Sequence, residues 1–189
     1  MQSALDRAYM KCAYAIAELS QAKRKQVGAI IVAADGGIIA EGVNGTPPGF
    51  SNDPEYHQMV CRHEWRPGVS AWYCTKIDCT ATAEDGEDRE RYSTKLVTKP
   101  EVIHAEANAF DKLARSTVSG AGGTLYVTAT PCFNCALRII SVKIVRVVCA
   151  EYYTGVHGGP SGEELLRKAN IEIHYETELD RKTGGLAEK

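Results

Sequence analysis

Apolar residues recur at Leu5, Ala8, Tyr9, Cys12, Ile16 and Leu19, the one-face spacing of an amphipathic helix, and the pattern predicts a helix over residues 3–20 with that face against a core. After Lys23-Arg24-Lys25, two apolar runs at 27–34 and 37–42 flank Asp35-Gly36, a dipeptide that suits a tight turn, so the pair reads as an antiparallel hairpin. Residues 44–100 are rich in Gly, Pro, Asp, Thr and Ser without a sustained period, and read as a long loop insertion at about 46–100 within one domain spanning 1–189. Beyond it the pattern predicts a helix over 105–114 and a strand over 124–130, alternating at Leu125, Val127 and Ala129. A second helix follows over 131–140, with Thr130 as its N-cap and Pro131 at its first position. A strand over 143–150, a helix from the capping-box spacing Ser161-Gly162-Glu163-Glu164 to Lys168, and a strand over 171–175 complete the series. Strands alternating with helices imply parallel neighbours, so the order α-β-β-α-β-α-β-α-β predicts a three-layer α/β/α fold with a five-stranded mixed sheet. Residues 183–189 are small and charged, and are expected to fray.

Lys plus Arg is 22 and Asp plus Glu is 24, a formal charge of −2, which argues against a protein that tracks a nucleic-acid backbone. No apolar run approaches the ~18 residues needed to span a membrane. The first 20 residues carry no apolar stretch followed by a small-residue cleavage site, so a cytoplasmic location is expected. Seven cysteines cannot all pair within one chain, and in a reducing compartment they point to metal binding, catalysis or core packing.

Their spacing decides between these. His104-Ala105-Glu106 opens one predicted helix and Pro131-Cys132-Phe133-Asn134-Cys135 opens the next. Two cysteines three apart at a helix start face one point, and with one imidazole they leave the fourth position of a tetrahedral zinc ion open for water. The partial positive charge of a helix start favours the thiolates. Glu106 stands beside the ligands without being needed as one, so it is the candidate general acid/base. His-x-Glu followed by Pro-Cys-x-x-Cys is the signature of zinc nucleobase deaminases.

With Val27-Gly28-Ala29-Ile30-Ile31-Val32, Gly42-Val43-Asn44-Gly45-Thr46-Pro47-Pro48-Gly49-Phe50 and Thr124-Leu125-Tyr126-Val127-Thr128, the chain resembles the cytidine deaminase superfamily and, within it, the deoxycytidylate deaminases of phage and bacterial allosteric type. The resemblance spans most of residues 4–176, with 51–100 and the tail matching only loosely. It implies hydrolysis of the 4-amino group of dCMP to give dUMP and ammonia, with His104, Cys132 and Cys135 holding zinc and Glu106 carrying the proton from water to N3 and then to the leaving amine. It also implies that Asn44 hydrogen-bonds the sugar and that Tyr153, at the end of the strand after the zinc helix beside Tyr152, packs on the base or sugar. Arg24 in the basic triplet is the candidate for the substrate phosphate, since phosphate recognition favours guanidinium geometry. The resemblance further implies a homo-oligomer, a hexamer, activated by dCTP with Mg2+ and inhibited by dTTP, with Lys23, Gly42, Asn44 and Gly45 as effector-site residues. Arg115 is the candidate to transmit state between subunits, or a cation closing the last turn of its helix.

Cys61, His63, Cys74 and Cys79, with His57 four before Cys61, form a second soft-ligand group able to hold a structural zinc. Cys12 and Cys149 fall on apolar faces and are expected in the core. His157 reads as part of a loop near Tyr153, and His174 as a packed residue of the last strand. Two rival readings keep part of this picture: a deaminase acting on dCTP or on a base in a polynucleotide, and a zinc-stapled nucleotide-binding regulator without turnover. An intact Glu106 argues against the second.

Overall fold

The computed structural model describes residues 2–61, 92–150 and 161–176. Its elements are α1 (Gln2–Ala17), β1 (Gly28–Val32), β2 (Ile38–Val43), β3 (Glu55–Cys61), β4 (Tyr92–Thr98), α2 (Ala105–Leu113), β5 (Thr124–Val127), α3 (Phe133–Ser141), β6 (Arg146–Cys149), α4 (Gly162–Lys168) and β7 (Glu172–Tyr175). Five strands form one sheet in the order β2-β1-β5-β6-β7. β1 runs antiparallel to both β2 and β5, and β5, β6 and β7 are parallel. This is the five-stranded mixed sheet that the order of strands and helices predicts. No described helix is long and apolar enough to cross a membrane.

The hairpin forms as its turn chemistry dictates. Gly36 takes φ +94°, Ala33 N–H bonds the Gly37 carbonyl at 2.8 Å, and the Asp35 carboxylate accepts from Gly37 N–H at 3.0 Å. Alternation along the strands then splits the core in two. Ala29, Ile31, Leu125, Val127, Val147, Cys149 and Ile173 face α2, α3 and α4 on one side, while Ile30, Val32, Tyr126 and Val148 meet Met10 and Ala13 of α1 on the other.

α1 buries a different stripe from the expected one. Leu5, Cys12 and Leu19 are exposed, and Asp6, Met10, Ala13 and Ala17 are buried. The cause is twofold. Alanines at 13 and 17 let the helix backbone come so close to β1 that a methyl group on Gly28 would overlap the Ala13 carbonyl oxygen. Asp6 tolerates burial because both its oxygens take hydrogen bonds from Arg146, at 2.7 and 2.8 Å, and one also accepts from the Tyr126 hydroxyl at 2.8 Å. Cys12 therefore lies outside the core, whereas Cys149 is fully buried as expected.

The stretch read as irregular loop contains an antiparallel ladder, β3 with β4, running from Glu55 opposite Thr98 to Cys61 opposite Tyr92. It belongs to a second compact unit, Glu55–Pro100, distinct from the main unit of Met1–Pro54 with Glu101–Lys189. Its strands mix polar and apolar positions, and their pairing spans at least thirty residues, so no adjacent turn signal marks them.

α2 lies against β2 through a second glycine contact. A methyl group on Gly42 would overlap the Ala105 carbonyl oxygen and stand 3.0 Å from the Ala109 Cα. Gly42→Ala is expected to cost about 1–3 kcal/mol through overpacking, seen as a lower urea midpoint with an unchanged slope. A midpoint equal to that of the parent protein would show that the α2–β2 contact relaxes freely.

Candidate active site

His104, Cys132 and Cys135 are brought together at two helix starts. His104 is the N-cap of α2 and Cys132 the N-cap of α3, each with an extended backbone and no side-chain cap bond. Thr130 and Pro131 thus precede α3 rather than opening it, because the chain stays extended through Cys132 to turn its thiol towards His104. His104 is fixed from before and after. Ile103 exchanges backbone hydrogen bonds with Gly45 at 3.1 and 2.9 Å, and Asn108 donates to the Val43 carbonyl at 3.0 Å from its side chain and to the His104 carbonyl at 2.9 Å from its backbone.

His104 Nδ1 lies 3.5 Å from the Cys132 Sγ and 3.6 Å from the Cys135 Sγ. A nitrogen at ~2.0–2.1 Å and a sulfur at ~2.3 Å from one tetrahedral zinc stand about 3.6 Å apart, so the donor set fits that ion. Its electrostatics fit too. The Cys132 thiol is held down to about 3 by the hydrogen bond from Cys135, against burial and with help from His104. The Cys135 thiol is pushed up, first by its bond to Cys132, then by burial and the charges of Glu106 and Cys132. Two thiolates at this spacing repel, so the pair keeps a proton between them unless a cation takes its place. The Cys132 bond raises His104, outweighing its burial, with the charges of Glu106 and Cys132 acting in the same direction.

Glu106, on the first turn of α2, is 4% exposed beside this group. Burial pushes its carboxyl up, and the nearby Cys132 charge adds to that push. Its backbone hydrogen bond, His104 and Cys135 oppose the rise. A carboxylic acid with raised affinity for its proton, walled off from bulk water, is suited to proton transfer near neutrality.

Asn44 follows β2 with its amide orientation set by its partners. Its Oδ1 accepts from Val27 N–H and the Ser20 hydroxyl, both at 2.8 Å, and its Nδ2 donates to the Lys25 carbonyl at 2.9 Å. One amide hydrogen has no partner among the described residues. Ser20, 3% exposed, is a residue that sequence reasoning passed over. It lies 24 positions from Asn44, and no local spacing links the two.

Lys23 is exposed and pairs with Asp53 at 3.3 Å, and Arg24 is exposed. Gly42 lies buried under α2, while Gly45 has open space where a side chain would stand. Arg115 sits in the turn after α2, its backbone N–H bonding the Lys112 carbonyl at 3.1 Å. His57 is exposed on β3, and His174 is half-buried on β7, 3.5 Å from a Glu172 oxygen. Of the second soft-ligand group, Cys61 ends β3, and His63, Cys74 and Cys79 lie outside the described residues, as do Tyr152, Tyr153 and His157.

Comparison with known proteins agrees with this chemistry. Residues 3–151 match the family model of the cytidine and deoxycytidylate deaminase zinc-binding region. The chain is 32% identical over 170 residues to the deoxycytidylate deaminase of Enterobacteria phage T2, covering 87% of this chain and 88% of that protein. It is also 32% identical over 173 residues to the corresponding protein of Enterobacteria phage T4, covering 87% and 86%. Among solved structures, the dCMP deaminase of cyanophage S-TIM5 in complex with dCMP and dUMP superposes with a TM-score of 0.65 at 30% identity, over 93% of this chain and 98% of that one.

Proposed function

The chain belongs to the cytidine and deoxycytidylate deaminase family and is a deaminase, a hydrolase, and from that premise we propose that it converts dCMP to dUMP and ammonia with the help of zinc. The observation that carries the reading is the meeting of His104, Cys132 and Cys135 around one point with the buried carboxyl of Glu106 beside them. A zinc ion held by these three side chains supplies, when bound, a Lewis acid that makes water nucleophilic near neutral pH.

The remaining steps belong to the chain's own residues. Glu106 takes a proton from the attacking water and delivers it to N3 of the cytosine ring, then takes the second water proton from the hydroxyl now on C4 and hands it to the amine as the C4–N bond breaks. The Asn44 amide hydrogen that has no partner among the described residues is offered to the sugar, in an orientation fixed by Val27, Lys25 and Ser20. Arg24, exposed in the segment that Asn44 braces, is the donor for the phosphate. Regulation by dCTP with Mg2+ and by dTTP belongs to the same reading, and Gly45, with open space above its Cα, suits an effector better than Gly42, whose space α2 fills.

Ammonia release from zinc-loaded protein tests the substrate, with dCMP, dCTP, deoxycytidine and a cytosine-containing oligonucleotide offered separately. Turnover fastest on dCMP, suppressed by dTTP, is the expected outcome. Turnover confined to the oligonucleotide would leave the proton chemistry standing and overturn the substrate. Silence on all four, with zinc bound, would overturn the catalytic reading.

A further inference from the structure

α4 packs its first turn onto the backbone that carries the Cys132 ligand. A methyl group placed on Gly162 would overlap the Pro131 carbonyl oxygen and stand 2.8 Å from the Cys132 carbonyl oxygen and 2.9 Å from its carbonyl carbon. Any side chain at 162 therefore has to displace either α4 or the turn at 131–132. Displacement of α4 is resisted by a second set of contacts. The Tyr175 hydroxyl of β7 donates to Glu163 Oε2 at 2.8 Å, and Arg167, one turn on in the same helix, holds that carboxylate in place by donating to its Oε1 at 3.0 and 2.7 Å. Tyr175 is also hydrogen-bonded to Thr130, the residue just before Pro131. Thr130, Tyr175 and Glu163 thus tie the approach to the ligand turn, the last strand and the first turn of α4 into one chain of bonds. Ser161, whose hydroxyl accepts from Glu164 N–H at 3.1 Å, sets the start of the helix.

We propose that Gly162, held by the Tyr175–Glu163 tie, is a positioning residue that sets the Cys132 backbone so that its thiol meets His104 Nδ1 and the Cys135 thiol at metal-binding distance. The proposal rests on the zinc reading given above. Cys132 opens α3 with no side-chain cap bond and is only half-buried; its carbonyl accepts from Ala136 N–H at 2.9 Å, and the close approach of Gly162 packs against that same carbonyl from the other element, adding a second restraint on the ligand's backbone. Cys135 differs, being buried 3% exposed within the first turn of α3. Residues that orient metal ligands from outside the ligand set typically change metal affinity by about 10–100-fold when altered.

The experiment titrates zinc against a chromophoric chelator and records the thiolate charge-transfer and d–d bands of the cobalt-substituted protein, for the parent, Gly162→Ala and Tyr175→Phe. Far-ultraviolet circular dichroism and melting establish that each variant is folded. The expected result is a loss of zinc affinity of about 10-fold or more in Gly162→Ala, a smaller loss in Tyr175→Phe, and altered cobalt bands in both. Folded variants with parental affinity and parental bands would overturn the positioning role. If Gly162→Ala does not fold, Tyr175→Phe, which adds no atoms, decides alone by the same two readouts. Failure of the parent itself to bind zinc or cobalt would instead overturn the zinc reading, so the two failures are distinguishable.

Discussion

Replacing Glu106 by Gln is expected to lower turnover by about 100- to 10,000-fold while leaving zinc bound and the fold intact. The size follows from removing a positioned proton carrier. Gln fills the same buried space, but it neither accepts a proton from water nor returns one to N3 and the amine. The side chain is 4% exposed, so no bulk water replaces it at that position. Stability should not fall, because burial already disfavours the charged carboxylate that the substitution removes, and groups strained for function are often costly to the fold. Steady-state ammonia release, zinc content and melting, measured on one preparation, separate these effects. Turnover within a few-fold of the parent would remove Glu106 from the mechanism.

The largest effect on stability is expected far from the metal ligands, at Asp6. Its side chain is 1% exposed and that of Arg146 13%, and the two share a bidentate pair that the Tyr126 hydroxyl joins. Removing Asp6 leaves the largely buried Arg146 charge with only the exposed Glu172 carboxylate, 3.6 Å from its Nε, so Asp6→Asn is expected to cost about 3–5 kcal/mol. For a chain of this length that lowers the melting temperature by about 6–20 °C. The double variant Asp6→Leu with Arg146→Met removes both charges and should be more stable than Asp6→Asn. Acid titration gives an independent check. Burial pushes the Asp6 carboxyl up, but hydrogen bonds from Arg146 and Tyr126 and the Arg146 charge pull it further down, to a net position below 3.8. A depressed native value means that the contribution is complete above the unfolded value and is lost as pH falls from there through the native one. The parent should therefore lose stability more steeply below about pH 4 than Asp6→Asn does. Equal slopes would show that the pair does not drive the acid transition.

The parts of the site legible in the sequence are those whose geometry is made within a few residues. His104 and Glu106 lie two apart at one helix start and Cys132 and Cys135 three apart at another, so their convergence follows from local backbone geometry once both starts point the same way. The hairpin was equally legible, because Asp35-Gly36 carries the positive φ its turn demands. The alternating order of strands and helices gave the mixed sheet, since crossover connections leave few other arrangements.

Other features needed the tertiary structure, and in each the deciding partner is remote in sequence. Asp6 is in the core and Leu5 and Leu19 are not, because Arg146, 140 positions away, neutralises one and no described residue buries the others. Asn44 has its amide set by Ser20 and Val27, and β3 finds β4 across at least thirty intervening residues, too far for a local turn dipeptide in the sequence to announce the pairing. Gly42 and Gly162 look in the sequence like ordinary turn or cap residues, yet each is required where another segment's backbone comes too close for a Cβ. A sequence states which side chain a position has, but whether a charge can be buried or a side chain must be absent depends on what stands opposite, and only the folded chain puts it there.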